Sequence, residues 1–153
     1  MNNISKEQIL ELCKKYDSEN QWDSSLEKQL GSILKAAKQI SKEELKEVIK
    51  WKFNDIKHRL KREINLVDEN DDKTIRELSK LAFNTENEAI RITDLTNIKG
   101  IGPAVASAIL TFYDPKNYGV FDIHVFDELF DTNSKIRPDL SNPKWYIELL
   151  KKL

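Results

Sequence analysis

The chain has 153 residues, 39% hydrophobic and 33% charged, which is enough to bury one core and too little for two comfortable ones. Its formal net charge of -1 argues against a broad phosphate-gripping footprint, and no apolar run approaches the length of a membrane span. Cys13 is the only cysteine and there are two histidines, so an internal disulfide, a cysteine-held iron–sulfur cluster and a soft-ligand metal site are all excluded.

Taken in chain order, the segments read as helices with no useful strand signal, which makes the fold class all-α, a compact multi-helix domain spanning 1–153. Ser5-Lys6-Glu7-Gln8 is a capping box that opens a helix with Ile9, Leu10, Leu12, Cys13 and Tyr16 expected inward. Ser24 or Ser25 is expected to cap the next, where Leu26, Leu30, Ile33, Leu34 and Ala37 recur at helical spacing. Ser41-Lys42-Glu43-Glu44 is a second capping box, ahead of Leu45, Val48 and Ile49. Asn54 or Asp55 restarts the chain before Ile56, Leu60 and Ile64, and Asp71 or Asp72 caps Ile75, Leu78, Leu81, Ala82 and Phe83.

From Lys50 to Arg62 the chain carries Lys50, Lys52, Lys57, Arg59, Lys61 and Arg62 against Asp55 alone, whereas the stretches around Asp68 and Asp127 are acidic. Such a basic run is either a solvated helix face or a phosphate-facing patch, and His58 within it reads as solvent-exposed. Trp51, flanked by Lys50 and Lys52, is the aromatic best placed for stacking.

A helix from Thr85 to Ile92 and a short turn of helix at Asp94 to Asn97 lead into Ile98-Lys99-Gly100-Ile101-Gly102-Pro103. Two glycines make a tight bend, proline suits the first helical position, and a helix to Tyr113 follows, so free amides at its start would face an anion. Small residues from Ala104 to Ala108 allow that helix to pack closely on a neighbour. After a loop at Asp114 to Gly119 comes Tyr118-Gly119-Val120-Phe121-Asp122-Ile123-His124, which brings one acid out of an apolar run into a helix expected over Ile123 to Phe130. Asn142-Pro143 starts the last helix, expected through Leu153.

Ile98-Lys99-Gly100-Ile101-Gly102 and Phe121-Asp122-Ile123-His124 together resemble the helix-hairpin-helix DNA glycosylase superfamily, the group that includes endonuclease III and the oxoguanine glycosylases. The resemblance runs from about Ile92 to Leu129. It implies a helix-hairpin-helix motif over about 85–113 and an active-site segment over 118–130. Double-stranded DNA, intact or damaged, would be the partner, with its backbone held at Lys99, Gly100, Ile101, Gly102 and Ala104. No organic cofactor is implied, only a monovalent cation held at the hairpin by the backbone carbonyls of Ile98 and Ile101 when DNA is bound. Asp122 matches the family's catalytic aspartate, which stabilises the cationic sugar as a base leaves.

His124, Tyr118, Phe121 and Trp51 are further candidates for pocket or phosphate contacts. Ala104 occupies the position of the lysine with which some members cleave the backbone, so the implied enzyme is a single-function glycosylase of DNA repair. Two other readings stand beside it: a non-catalytic DNA-binding module in which Asp122 only caps its helix, and a helical interaction domain that has lost DNA binding. The opening residues lack the apolar stretch of a secretion signal, so a cytoplasmic location, nucleoid-associated when DNA-bound, is expected.

Overall fold

A computed structural model describes residues 5–122 and 141–151. Those residues form eight helices and no strand: α1 (Lys6–Glu19), α2 (Gln21–Ala37), α3 (Lys42–Phe53), α4 (Lys57–Asp68), α5 (Asp72–Asn84), α6 (Glu88–Thr96), α7 (Pro103–Tyr113) and α8 (Pro143–Leu150). None of them is long and apolar enough to cross a membrane. The helix expected over Ile123 to Phe130, together with His124, lies outside the described residues.

Local chemistry sets several boundaries where the sequence puts them. The Ser5 and Ser41 capping boxes both form, with Gln8 and Glu44 closing them. Asp71 caps α5 by accepting from the Thr74 amide at 2.9 Å, and Asn142 caps α8 ahead of Pro143. Each such cap satisfies one or two amides that would otherwise face nothing.

Elsewhere the boundaries move. α2 begins at Gln21 behind Asn20, and Ser24 sits inside the helix, where its hydroxyl donates to Asp17 at 2.6 Å and ties α2 to α1. Neither Asn54 nor Asp55 caps α4: α3 ends at Phe53, and Ile56 is the residue before α4, with no side-chain cap. The two short helices expected between Thr85 and Asn97 are one helix, started by Asn87 accepting from the Ala89 and Ile90 amides.

The core is one contiguous cluster centred on α7. Val105, Ala106, Ser107, Ala108, Ile109 and Leu110 are all buried, so α7 is enclosed on every side, as an apolar, small-residue helix must be. It packs on α2, α3, α6 and α8, while α5 lies on α6 and α4 on α3. Leu30 and Leu34 of α2, Leu45, Val48 and Ile49 of α3, and Ile75, Ala82 and Phe83 of α5 fill the spaces between.

The inward face expected for α1 is not buried. Leu10 and Leu12 are more than half exposed, Tyr16 and Cys13 are exposed, and α1 packs chiefly on α2. Leu81 is likewise exposed at 59%, because α6 covers only the neighbouring stripe of α5.

Candidate functional site

Between α6 and α7 the chain reverses in a bend closed by the Ile101 amide donating to the Ile98 carbonyl at 3.0 Å. Its two glycines do different work. Gly100 adopts φ +88°, and a Cβ there would come within 2.8 Å of Val67 Cγ2 and 2.9 Å of the Glu63 carbonyl oxygen. Here glycine is required twice, by its left-handed backbone and by the closeness of α4.

Gly102 needs neither licence. Its φ is -91°, it is exposed at the cap position of α7, and a Cβ would meet nothing within 4 Å. The expectation that both glycines serve the turn is therefore half corrected: Gly102 leaves an open surface at the start of a buried helix. Pro103 follows as the first helical residue, and the Gly102 carbonyl takes the Val105 and Ala106 amides at 3.0 and 2.9 Å. No hydrogen bond among the described residues uses the amides of Gly100, Gly102 or Ala104.

The tip of the bend is clamped to the end of α4. Asn70 accepts from the Lys99 amide at 3.1 Å and returns its own amide to the Lys99 carbonyl at 3.0 Å, while also reaching the Leu66 and Val67 carbonyls. The main chain of Lys99 is thus taken, as is the amide of Ile101, while the anion nest read from the sequence rests on other amides, those of Gly100, Gly102 and the residues just after Pro103. The Lys99 ammonium pairs with Glu69 at 2.9 Å with both side chains exposed, a contact of the kind that contributes about 0–1 kcal/mol and exchanges readily. Of the carbonyls named for a cation, that of Ile98 already closes the bend, while no hydrogen bond among the described residues uses that of Ile101.

Asp122 is held near the middle of α7. The amide of the preceding Phe121 donates to Ser107 Oγ at 2.8 Å, and Ser107 lies only four residues into the helix from Pro103, roughly 6 Å along its axis. Phe121 itself is fully buried against Tyr146, so it lines no open pocket. Asp122 Oδ2 lies 3.7 Å from Lys52 Nζ, the acid 38% exposed and the lysine 11%. Burial is the larger influence on Lys52 and holds its pKa below the ordinary lysine value, with Asp122 acting in the opposite sense.

This lysine comes from the basic run, which the helices break up. Lys50 pairs with Glu47, Arg62 with Glu63, and Arg59 lies over the Phe53 ring at 4.7 Å. Lys57, His58 and Lys61 are exposed on α4. Nothing in the sequence near Lys52 pairs it with Asp122; the contact is made by the fold alone.

Two other sequence candidates are committed to neighbours. Tyr118 donates to Glu88 at 3.0 Å and meets the buried guanidinium of Arg91, and burial with the Glu88 contact pushes its phenol above the ordinary tyrosine range. It borders a hollow of about 360 Å³ formed with Glu88, Asp114, Asn117 and Leu150. Trp51 is half-buried: its indole N–H donates to Glu27 at 3.0 Å and its ring meets Phe112 edge-on at 4.9 Å. Trp51 and Glu27 border a larger cavity of about 610 Å³, also lined by Val120, two residues before Asp122. Glu27 was missed in the sequence, where it is one glutamate among many on a solvated helix. Among the described residues no cluster of His, Cys, Asp and Glu is suited to a metal ion.

No family model matches the chain, and no curated protein or solved structure matches it either.

Proposed function

We propose that the chain is a DNA-binding protein of the helix-hairpin-helix type, which holds one strand's backbone at the start of α7. The open face of Gly102 carries this reading. An exposed helix cap is ordinarily best filled by serine, asparagine or aspartate, which would satisfy the first-turn amides internally. Glycine leaves those amides for an outside acceptor, and a phosphate oxygen at the positive end of a helix is a good one.

Gly100, folded in against α4, supplies the bend; Lys99 adds a cation that can leave Glu69 for a phosphate. Contacts of this kind fix position and do not read sequence. A single bend of this sort neutralises few charges, which suits a chain of net charge -1. Binding should therefore depend on salt only shallowly, with a log–log slope of about -1 to -2 for one or two phosphates.

Fluorescence anisotropy with a duplex across a salt series tests this. The expected result is saturable binding with that slope, weakened at least tenfold by Gly102→Asp, which fills the cap and places a negative charge at the nest. Unchanged binding by Gly102→Asp overturns the reading.

A second reading, hydrolysis of a damaged base, is favoured by the position of Asp122, partly exposed and two residues from a cavity wall. A carboxylate there could oppose the positive charge of a departing deoxyribose, although Lys52 offsets part of that field and must shift as the sugar arrives. Base release from a panel of damaged duplexes, abolished in Asp122→Asn with DNA binding retained, is the supporting outcome. Release from none of them leaves DNA binding without catalysis.

A further inference from the structure

The cavity of about 610 Å³ between α1, α2, α3 and the C-terminal end of α7 is within the range of roughly 300–1,000 Å³ that small ligands occupy. Trp51, Phe112 and Tyr16 supply aromatic walls. The indole is held in place at two points, by its N–H on Glu27 and by its edge contact with Phe112.

Glu27 is used on one side only. Its Oε1 accepts both from the Tyr16 hydroxyl at 2.8 Å and from Trp51 Nε1, and no hydrogen bond among the described residues uses Oε2. A half-buried carboxylate oxygen among aromatic rings is an acceptor waiting for an N–H donor. At Gly31 a Cβ would strike the Phe112 carbonyl oxygen at 2.6 Å, so that stretch of the lining carries no side chain. Lys35, one helical turn further along α2, is exposed and has no ion pair among the described residues, whereas Lys28 leans towards Asp17 at 3.7 Å.

We propose that this cavity binds a single nucleotide, its base stacked against Trp51 and giving an N–H to Glu27 Oε2, its phosphate towards Lys35. The ligand class follows from the three features together. A planar ring suits the aromatic walls, a donor edge suits the lone carboxylate oxygen, and an anionic tail suits the cation at the rim. An aromatic acid whose ring carries no N–H would leave Glu27 Oε2 without a donor, and an aromatic amine would have no use for Lys35.

The nucleotide can come from two sources, a free mononucleotide or one swung out of a duplex. Only the second source rests on the DNA reading above. Pro103 and Phe112 are nine residues apart on α7, about 14 Å along the axis, so the bend and the cavity lie at opposite ends of one helix.

The indole N–H of Trp51 reports directly on occupancy. In proton–nitrogen correlation spectra its peak is assigned by its loss in Trp51→Phe. The chain is then titrated with each of the four deoxynucleoside monophosphates and, separately, with a duplex carrying one mismatched pair. The expected result is movement of the Trp51 peak in at least one arm, weakened about tenfold by Glu27→Gln. That variant keeps an acceptor for Tyr16 and Trp51 and turns the ligand-facing oxygen into a donor. Ser32→Phe, which plugs the cavity from an exposed position, gives a second variant that should abolish the shift. A Trp51 peak that stays still in both arms overturns the proposal.

The two readings fail separately. Duplex binding with a silent Trp51 removes the nucleotide cavity and leaves the grip at Gly102. Mononucleotide shifts in a chain that ignores duplex DNA remove the grip and leave the cavity.

Discussion

Lys52 and Asp122 form an ion pair at 3.7 Å in which the lysine is far more deeply buried than its partner. Because burial outweighs attraction at Lys52, the pair is asymmetric. Removing the lysine leaves an acid that already lies partly in water, whereas removing the acid leaves a buried cation without that carboxylate. Lys52→Met should therefore leave stability unchanged or raise it by about 1 kcal/mol, and Asp122→Asn should lower it by about 1–2 kcal/mol. Urea denaturation of both variants checks the order, and a larger loss in Lys52→Met refutes it.

The same pair sets a pH signature. Lys52 in the folded chain holds its proton less tightly than the ordinary 10.5 of an unfolded one, so between its lowered value and 10.5 the unfolded state binds more protons. Stability contributed by this group then rises with pH in that window. The advantage of Lys52→Met over the parent chain should shrink as pH climbs from 8 towards 10.5. Subtracting the two curves removes the opposing tyrosines, Tyr16, Tyr118 and Tyr146, whose raised values make the fold weaker at alkaline pH.

Gly100 and Gly102 separate a role in folding from the proposed role in binding. Gly100→Ala adds a Cβ at 2.8–2.9 Å from α4 in a left-handed conformation, and should cost about 2–3 kcal/mol. Gly102→Ser adds a hydroxyl in open space at a cap and should be neutral or slightly stabilising, while weakening the duplex by competing for the same amides. Paired thermal melts and anisotropy titrations check both, and a Gly102→Ser chain that melts much lower would show that the open cap matters to the fold.

Asn70 joins α4 to the bend through four hydrogen bonds, two of them to Lys99. Asn70→Ala should cost about 1 kcal/mol, since the end of α4 and the bend lose their shared partner. Asn70→Asp keeps the acceptor for the Lys99 amide and turns the donors into a charge facing three carbonyls, so it should be at least as damaging. Hydrogen exchange at the Lys99 amide would quicken in Asn70→Ala, which removes its acceptor.

How much of this was legible in the sequence differs by the range of the interaction. Ser5, Ser41 and Asp71 could be read because a cap and its target amide lie within three residues of each other. The bend and α7 could be read because glycine permits, and proline fixes, a backbone conformation at its own position. Leu10 and Leu12 could not, since periodicity marks an apolar stripe and says nothing of whether another helix covers it. Glu27 with Trp51, Lys52 with Asp122, and Asn70 with Lys99 join residues far apart in the chain, and only packing brings them together. The glycine bend and the aspartate stood out in the sequence; the lysine that partners the aspartate, and the carboxylate beside the tryptophan, did not.

Arg91 shows what a cation must do to be tolerated in such a core. Its side chain is 13% exposed, and its guanidinium donates to the Ala82 carbonyl at 3.0 Å, to the Thr85 carbonyl, to Glu88 and to the Tyr118 hydroxyl. Those partners lie in different directions, on the end of α5, on α6 and on the loop after α7. A planar fork with five N–H groups can reach them together, and an ammonium with three cannot. Arg91→Lys should thus behave as a loss, costing about 2–4 kcal/mol by leaving buried carbonyls unmatched, despite conserving charge. Because the lost contacts hold Tyr118 and the segment leading to Asp122, the variant should also quicken hydrogen exchange at the Phe121 amide, whose bond to Ser107 Oγ depends on that segment staying in place. Equal stability of Arg91→Lys and the parent chain would mean the four contacts are incidental to the fold.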